Sequence, residues 1–417
     1  MKDFYTRTDC RLCRSESLET VLEIGSTPVG DDFVTAENSI RHQPTFPLEL
    51  SVCRNCGLLQ LPGVINPELI YSDYLYETSA SLGLEEHFIN YAKRMVDKVQ
   101  PKADALVVDI GSNVGCLLHG VKSLGYSVLG IEPASALAKK ATDSGVETWP
   151  MFFNRETACM IKREKEPAGI ITANNVFANI DDLTDMMEGI AELLDHDGVF
   201  VFETGYMLDT VQNTVIDNVY HEHLCYFSVL PLIPFFYSHG LELVDVERIP
   251  TKGGSIRGMV QRKGGPRVVA ESVTGLANLE RELGFEGMAP FSNFVKRVEE
   301  MKRELLALID DLRAQGKTVA GYGASVGVTT MLYYLDLKDR LDCLYDDNPV
   351  KFGTFSPGLH IPVHDSSKIY EHRPDYILNI AWRYANPIMN RHEAYLENGG
   401  QFISMLPVVS IINREDR

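Results

Sequence analysis

Three groups of residues in this chain have the types and spacing to do chemistry. The first is two Cys-x-x-Cys pairs, Cys10/Cys13 and Cys53/Cys56, with residues 14–52 between them. A Cys-x-x-Cys knuckle brings two thiolates to one metal ion, and two knuckles complete a tetrahedral all-thiolate set. Such a set leaves no coordination position open, so a structural Zn²⁺ held by Cys10, Cys13, Cys53 and Cys56 is expected. The second group is the loop Asp109-Ile-Gly-Ser-Asn-Val-Gly115, followed at the end of the next apolar run by Glu132. The third is Tyr220-His221-Glu222-His223. Histidine titrates near neutrality and suits proton abstraction. The order is not His-Glu-x-x-His, so the two-histidine metal face of a helical metalloprotease is absent. An extended backbone here would put His221 and His223 on one face and Tyr220 and Glu222 on the other.

The glycine loop follows a strand-like run and opens a helix-like one. Glycines let the backbone approach a ligand, and a helix N-terminus favours negative charge there. Two cofactor classes fit, dinucleotides and S-adenosylmethionine. The dinucleotide fingerprint Gly-x-Gly-x-x-Gly is incomplete, because only Gly111 and Gly115 flank Asn113. Glu132 is placed for a ribose diol with either cofactor. Asp109 suits S-adenosylmethionine, whose amino-acid end needs polar partners. Asn174-Asn175-Val176 follows a later strand and would flank the reacting group. Thr251-Lys252-Gly-Gly-Ser-Ile-Arg257 is either a cradle for a phosphate or polar substrate or a simple hairpin turn. Gly321-Tyr-Gly-Ala-Ser325 is a second glycine loop. Tyr71, Tyr74, Tyr76, Ser79 and Ser81 form a candidate lid ahead of the sheet.

These residues need elements to hold them. Short strands and turns punctuated by Pro28, Pro44, Pro47, Pro62 and Pro67 are expected up to about residue 70. Apolar positions at helical spacing mark 84–99. Strand-like runs at 105–109, 127–132, 169–173 and 198–203 alternate with helical patterns at 117–124 and 134–143, which predicts a parallel, doubly wound α/β sheet. A charged helix over 294–313 leads into a second α/β unit with strands near 342–345 and 375–380. At 417 residues the chain is too long for one core. Its net charge of −19 argues against nucleic acid as the main partner. Arg7, Arg11, Arg14, Arg41 and Arg54 keep open a zinc-ribbon adaptor for RNA or protein. The longest apolar-rich run, 226–237, is too short and too proline-broken to span a bilayer. No leader-like segment is read at the N-terminus, so a cytoplasmic protein without membrane contact is expected.

Taken in order, the motifs resemble the S-adenosylmethionine-dependent sugar C-methyltransferases of deoxysugar pathways, which act at C-3 of nucleotide-linked 4-keto sugars. The resemblance is carried by the two cysteine pairs, Tyr74-x-Tyr76-x-x-Ser79-x-Ser81, the Asp109 loop, Tyr220-His-Glu-His223, Gly253-Gly-Ser255, Gly321-Tyr-Gly-Ala-Ser325, Asp346-Asp-Asn-Pro349, Pro357-Gly358 and Ala381-Trp382. It implies an N-terminal zinc-binding module (1–70), a central class I methyltransferase Rossmann-like domain (71–265), and a linker helix with a second, C-terminal Rossmann-like α/β domain for the nucleotide sugar (266–417). It assigns His223 as the base, with Tyr76, Tyr220 and Glu222 lining the sugar site. Asp109, Gly111, Asn113, Gly115, Glu132 and Asn174 would hold S-adenosylmethionine, with Ser79 and Ser81 contributing. The substrate it implies is a dTDP- or GDP-linked keto-deoxysugar, and the assembly a monomer or homodimer. This chain departs from the family at Lys252 and Asn179, where histidine is usual, at Arg383, where asparagine is common, and in the loop after Ser325, which lacks a lysine. The competing enzymatic reading is a nicotinamide-dependent nucleotide-sugar oxidoreductase or epimerase.

Overall fold

A computed structural model describes residues 3–71 and 84–416. The central sheet has seven strands in the order Leu241–Ile249, Ser255–Arg262, Leu194–Gly205, Ala168–Asn174, Leu106–Ile110, Ser127–Ile131 and Thr148–Trp149. Leu106–Ile110 lies in its middle with all five residues buried, because helices cover both faces. It pairs in parallel with Ser127–Ile131 on one side and Ala168–Asn174 on the other. Strand order therefore reverses at Leu106–Ile110, and a crevice opens beyond the carboxyl ends of these strands, where ligands of such sheets bind. The sheet is not wholly parallel as the sequence suggested. Ser255–Arg262 inserts antiparallel to both neighbours. The cause is local: the turn at Thr251–Gly253, with Lys252 (φ 53°), Gly253 (φ 86°) and Gly254 (φ 122°) all at positive φ, folds the chain back on Leu241–Ile249.

The N-terminal sheet is antiparallel, with Leu18–Thr27, Phe46–Cys53 and Leu59–Gln60 joined by Cys225–Tyr226 at its edge. Its last strand thus comes from the segment just after Tyr220-His-Glu-His223. The low-signal stretch ahead of residue 294 contains a helix, Glu271–Glu282. Its fully buried Glu280 accepts the amides of Val229 (2.7 Å) and Leu230 (2.8 Å) and the Tyr206 hydroxyl (2.8 Å). The carboxylate thereby satisfies the open N-terminus of helix Val229–Ser238, the apolar-rich run of the sequence.

Helix Ala289–Ala314 buries Phe291, Phe294, Val298, Met301, Leu305, Ile309 and Leu312, one stripe at three- and four-residue spacing. It leads to the second α/β sheet, ordered Val363–Asp365, Leu344–Asp346, Val319–Tyr322, Tyr376–Asn379, Gln401–Ser404 and Ser410–Ile412. This sheet is parallel except for the last strand. Strand Thr354–Phe355 pairs with Val34–Thr35, so the C-terminal unit also touches the N-terminal module. Among the described residues no helix is long and apolar enough to cross a membrane.

Candidate active site and zinc centre

The four cysteines meet, with their sulfur atoms all within 4.8 Å of one another. Cys10 Sγ lies 3.5 Å from Cys56 Sγ, and Cys13 Sγ lies 3.5 Å from Cys53 Sγ. The two knuckles have the same construction. Arg14 N donates to Cys10 O and Gly57 N to Cys53 O, and the residue after each pair is left-handed, Arg14 (φ 60°) and Gly57 (φ 80°). Asn55 Nδ2 donates to Cys13 Sγ at 3.4 Å. Four thiols at this spacing fit a tetrahedral Zn²⁺ with no open position. His42 is exposed and stands apart.

Between the first two cysteines, Arg11 is fully buried. It donates to Leu61 O (2.6 Å) and Asp181 Oδ1 (2.9 Å), tying the knuckle to the central domain. Arg7 pairs with Asp9 and Asp181, Arg14 with Asp9 and Asp182, Arg41 with Asp32 and Arg54 with Glu19. All five arginines that kept an RNA adaptor open are paired with carboxylates of this chain, Arg14, Arg41 and Arg54 at its surface.

The glycine loop caps the middle of the central sheet. Gly111 (φ 69°), Asn113 (φ 51°) and Gly115 (φ 81°) are left-handed, which lets the chain turn sharply from strand Leu106–Ile110 into helix Cys116–Ser123. A Cβ at Gly111 would overlap the Val176 side chain. Glu132 reaches into the loop from the neighbouring strand end. Its carboxylate accepts Asn113 N (2.9 Å) and Ala134 N (3.0 Å), while its burial raises its pKa. Asp109 accepts the Thr172 hydroxyl at 2.5 Å. Burial pushes Asp109 up to about 7, with the Glu132 charge adding to the effect. Asn174 Oδ1 accepts the Tyr91 hydroxyl at 3.0 Å. Two carboxyls, an amide and a glycine floor on adjacent strand ends suit a cofactor with a ribose diol and an ammonium group. The buried Ser112 hydroxyl has no partner among the described residues, a further polar group open to a ligand.

Residues 220–223 form a turn rather than an extended strand, closed by His223 N donating to Tyr220 O (2.9 Å). The alternating-face expectation therefore fails. Tyr220 and His223 face each other, with ring centroids 4.0 Å apart. His221 instead turns to the N-terminal module, where Nε2 bonds Phe46 O at 3.2 Å, and burial lowers it to about 4.

The His223 tautomer follows from its partners. Nδ1 lies 2.9 Å from Asn218 O, which can only accept, so Nδ1 carries the hydrogen. Nε2 is then bare and accepts the Tyr220 hydroxyl at 2.7 Å. Burial lowers His223 to about 3, aided by the positive charges of Lys252 and Arg383. Glu222 moves the opposite way. Burial and the Asp31 charge raise it to about 7, against the pull of Lys252.

His223 lines a cavity with Asn175, Asn179, Thr204, Asn218 and Lys252. Lys252 and Asn179, two of the departures noted in the sequence, thus stand beside His223. Lys252 keeps solvent-accessible surface, yet protein packs closely around it, and that burial lowers its pKa against the charges of Glu203 and Glu222. Asn179 donates to Tyr71 Oη (3.1 Å), while its buried Oδ1 has no partner among the described residues. Tyr74, Tyr76, Ser79 and Ser81 lie outside the described residues. The sequence missed Tyr91, Glu203 and the use of Arg257: Arg257 bonds Glu203 at 2.6 Å and lies 3.9 Å over the Tyr91 ring, beside Asn174. Strand pairing sets Glu203 opposite Arg257, and helix Leu84–Val99 brings Tyr91 under the guanidinium.

A second cysteine-histidine group, Cys343, His364 and His372, lies on one face of the C-terminal sheet, where the Tyr345 hydroxyl bonds His372 Nδ1 at 3.0 Å.

Residues 10–71 match the family model of a zinc binding domain, 85–246 that of a methyltransferase domain, and 250–407 that of the C-methyltransferase C-terminal domain. The chain is also 33% identical over 408 residues to the C-methyltransferase NovU of Streptomyces niveus, covering 98% of this chain and 97% of that protein. The chain belongs to the C-methyltransferase family. Its activity is S-adenosylmethionine-dependent C-methylation, and its N-terminal module is a zinc module. Among solved structures, it is 12% identical to an S-adenosylmethionine-dependent methyltransferase from Clostridium acetobutylicum, covering 43% of this chain and 92% of that one (TM-score 0.36). It is 14% identical to the CcbJ methyltransferase of Streptomyces caelestis, covering 46% of this chain and 95% of that one (TM-score 0.35).

Proposed function

We propose that this C-methyltransferase acts on C-3 of a nucleotide-linked 4-keto-6-deoxy sugar, dTDP- or GDP-linked, with His223 as the base. The observation that carries the reading is the tautomer of His223. A neutral imidazole with Nδ1–H fixed by a carbonyl leaves Nε2 bare of hydrogen, held by the Tyr220 hydroxyl, and the ring lines a small cavity at the carboxyl ends of the sheet. A carbon next to a ketone loses a proton because the electron pair delocalises onto the ketone oxygen. In this reading the proton passes from carbon to His223 Nε2. The Tyr220 hydroxyl, released from Nε2, turns to the enolate oxygen.

The positive charge on Lys252 opposes protonation of His223 and favours the developing enolate in the same cavity. Asn179 Oδ1, without a partner among the described residues, would accept a sugar hydroxyl. Asp109, Gly111, Asn113, Gly115, Glu132 and Asn174, with Ser79 and Ser81, would hold S-adenosylmethionine, which supplies an electrophilic methyl group when bound. Tyr76 would line the sugar side. Holding carbon and methyl in line is where two facing domains contribute most. The test is His223→Asn, which removes the base at similar size. Turnover should fall by about 10²–10⁴-fold with S-adenosylmethionine binding retained. Undiminished turnover would take the base role from His223.

A further inference from the structure

The residues holding His223 do not all belong to the domain that carries it. Asn218 O, which fixes Nδ1–H, also accepts the Tyr226 hydroxyl at 3.0 Å and lies in the short segment 217–219. The C-terminal domain grips that segment at three successive residues. Arg383 Nη2 donates to Asp217 Oδ1 and to Asn218 Oδ1, both at 2.9 Å. Thr330 Oγ1 donates to Val219 O at 2.5 Å. Helix Val326–Tyr334 lies so close that a Cβ at Gly327 would overlap the Asp217 carbonyl. Asp217 is largely enclosed by its neighbours, which raises its pKa, and Arg383 is the cation that opposes that shift. From the other side, Asn218 Nδ2 approaches Lys252 O at 3.4 Å.

We propose that Arg383, from the C-terminal domain, is a positioning residue that sets the tautomer and aim of His223 through Asp217 and Asn218. The chain of contacts runs guanidinium, Asn218 side chain, Asn218 carbonyl, His223 Nδ1–H. Which imidazole nitrogen carries the proton is decided by the bond the other ring nitrogen makes, so moving the Asn218 carbonyl frees the ring to place its proton on Nε2. Without Arg383, Asp217 is left uncompensated in an enclosed site, and the segment must rearrange to hydrate it. Docking of the C-terminal domain and readiness of the base are then one event. The inference rests on His223 as the base for its effect on rate, while the tautomer itself is measured independently of any reaction.

The test uses the full-length, zinc-loaded chain labelled with ¹⁵N-histidine, with His223→Asn identifying the His223 resonances. In the parent protein His223 should show one protonated nitrogen, Nδ1. In Arg383→Met it should show exchange between tautomers or protonation at Nε2. The kcat should fall by about 10- to 100-fold, as for a misaligned catalytic group, with S-adenosylmethionine affinity unchanged. Arg383→Lys should restore part of the single tautomer. Thr330→Val, which loosens the same segment without removing a charge, gives the same readout should Arg383→Met not fold. An unaltered Nδ1–H tautomer with unaltered kcat in these variants overturns the proposal. Should His223→Asn retain turnover, the base reading falls while the nitrogen spectra still decide the positioning role.

Discussion

Glu222 offers a sharp test of how the site is built, because its carboxyl is enclosed beside Lys252 and lies near Asp31. Burial raises it from 4.5 to about 7. A carboxyl shifted that far costs the folded state roughly 3 kcal/mol once it is ionised. The sign follows from proton counting. Between 4.5 and 7 the folded chain binds more protons at Glu222 than the unfolded chain does. Stability from this group is therefore full below about pH 4.5 and is lost as pH rises through 7. Glu222→Gln removes the titration while keeping the shape. The substitution should gain roughly 2 kcal/mol relative to the parent between pH 5.5 and pH 8.5. The assay is urea unfolding of both proteins at the two pH values, at equal zinc and without S-adenosylmethionine. A difference in stability that does not change with pH would refute the reasoning, because an unshifted Glu222 is ionised at both values in both states.

Further predictions follow from the zinc centre and the glycine loop. Cys13→Ser should lower bound zinc from one ion per chain and depress the melting temperature, since structural zinc sites contribute folding energy of about 10 kcal/mol or more in isolated modules; metal analysis and thermal unfolding check this, and one full equivalent of zinc in the variant would contradict it. Gly111→Ala combines a left-handed backbone, costing about 1–2 kcal/mol, with overlap on Val176. Its affinity for S-adenosylmethionine by calorimetry should fall by at least about tenfold, and Val176→Ala in the same chain should restore part of the loss; unchanged affinity in the single variant would contradict the placement of the loop. Arg11→Met should strip the link from the knuckle to Leu61 and Asp181 and destabilise the protein by about 3–5 kcal/mol, as expected when one partner of a buried ionic contact is removed. Equal midpoints in urea would contradict that link.

What could be read from the sequence was local. The cysteine pairs, the strand ahead of Asp109 and the helix after Gly115 are each set by residues a few positions apart, and they appear within a residue or two of expectation. The long helix was legible as a charged helical stretch over 294–313, although it starts earlier, at Ala289. What was hidden depends on pairing across long separations. Nothing near Ser255–Arg262 says that it will insert antiparallel between Leu241–Ile249 and Leu194–Gly205. Glu280 looks like a surface residue until its partners at 206, 229 and 230 are in place. The Tyr220-His-Glu-His223 motif was found, but its shape was not. It is a turn because Cys225–Tyr226 must leave it to join the zinc module's sheet, while Asp217–Val219 is held by the C-terminal domain. Asn179 was visible only as a departure, and Lys252 as a departure within a candidate cradle or hairpin turn. The fold gathers both beside His223.

The central claim is carbon methylation of a nucleotide-linked keto sugar. Its most direct test is mass spectrometry of dTDP- and GDP-linked 4-keto-6-deoxy sugars incubated with the protein and S-adenosylmethionine carrying a ¹³C-methyl group, with carbon NMR of any product. The account predicts one labelled methyl on a sugar carbon, at C-3, and deuterium from solvent at that carbon when the methyl donor is withheld. A label found on oxygen or nitrogen, or no labelled sugar from a protein that binds S-adenosylmethionine, would contradict it.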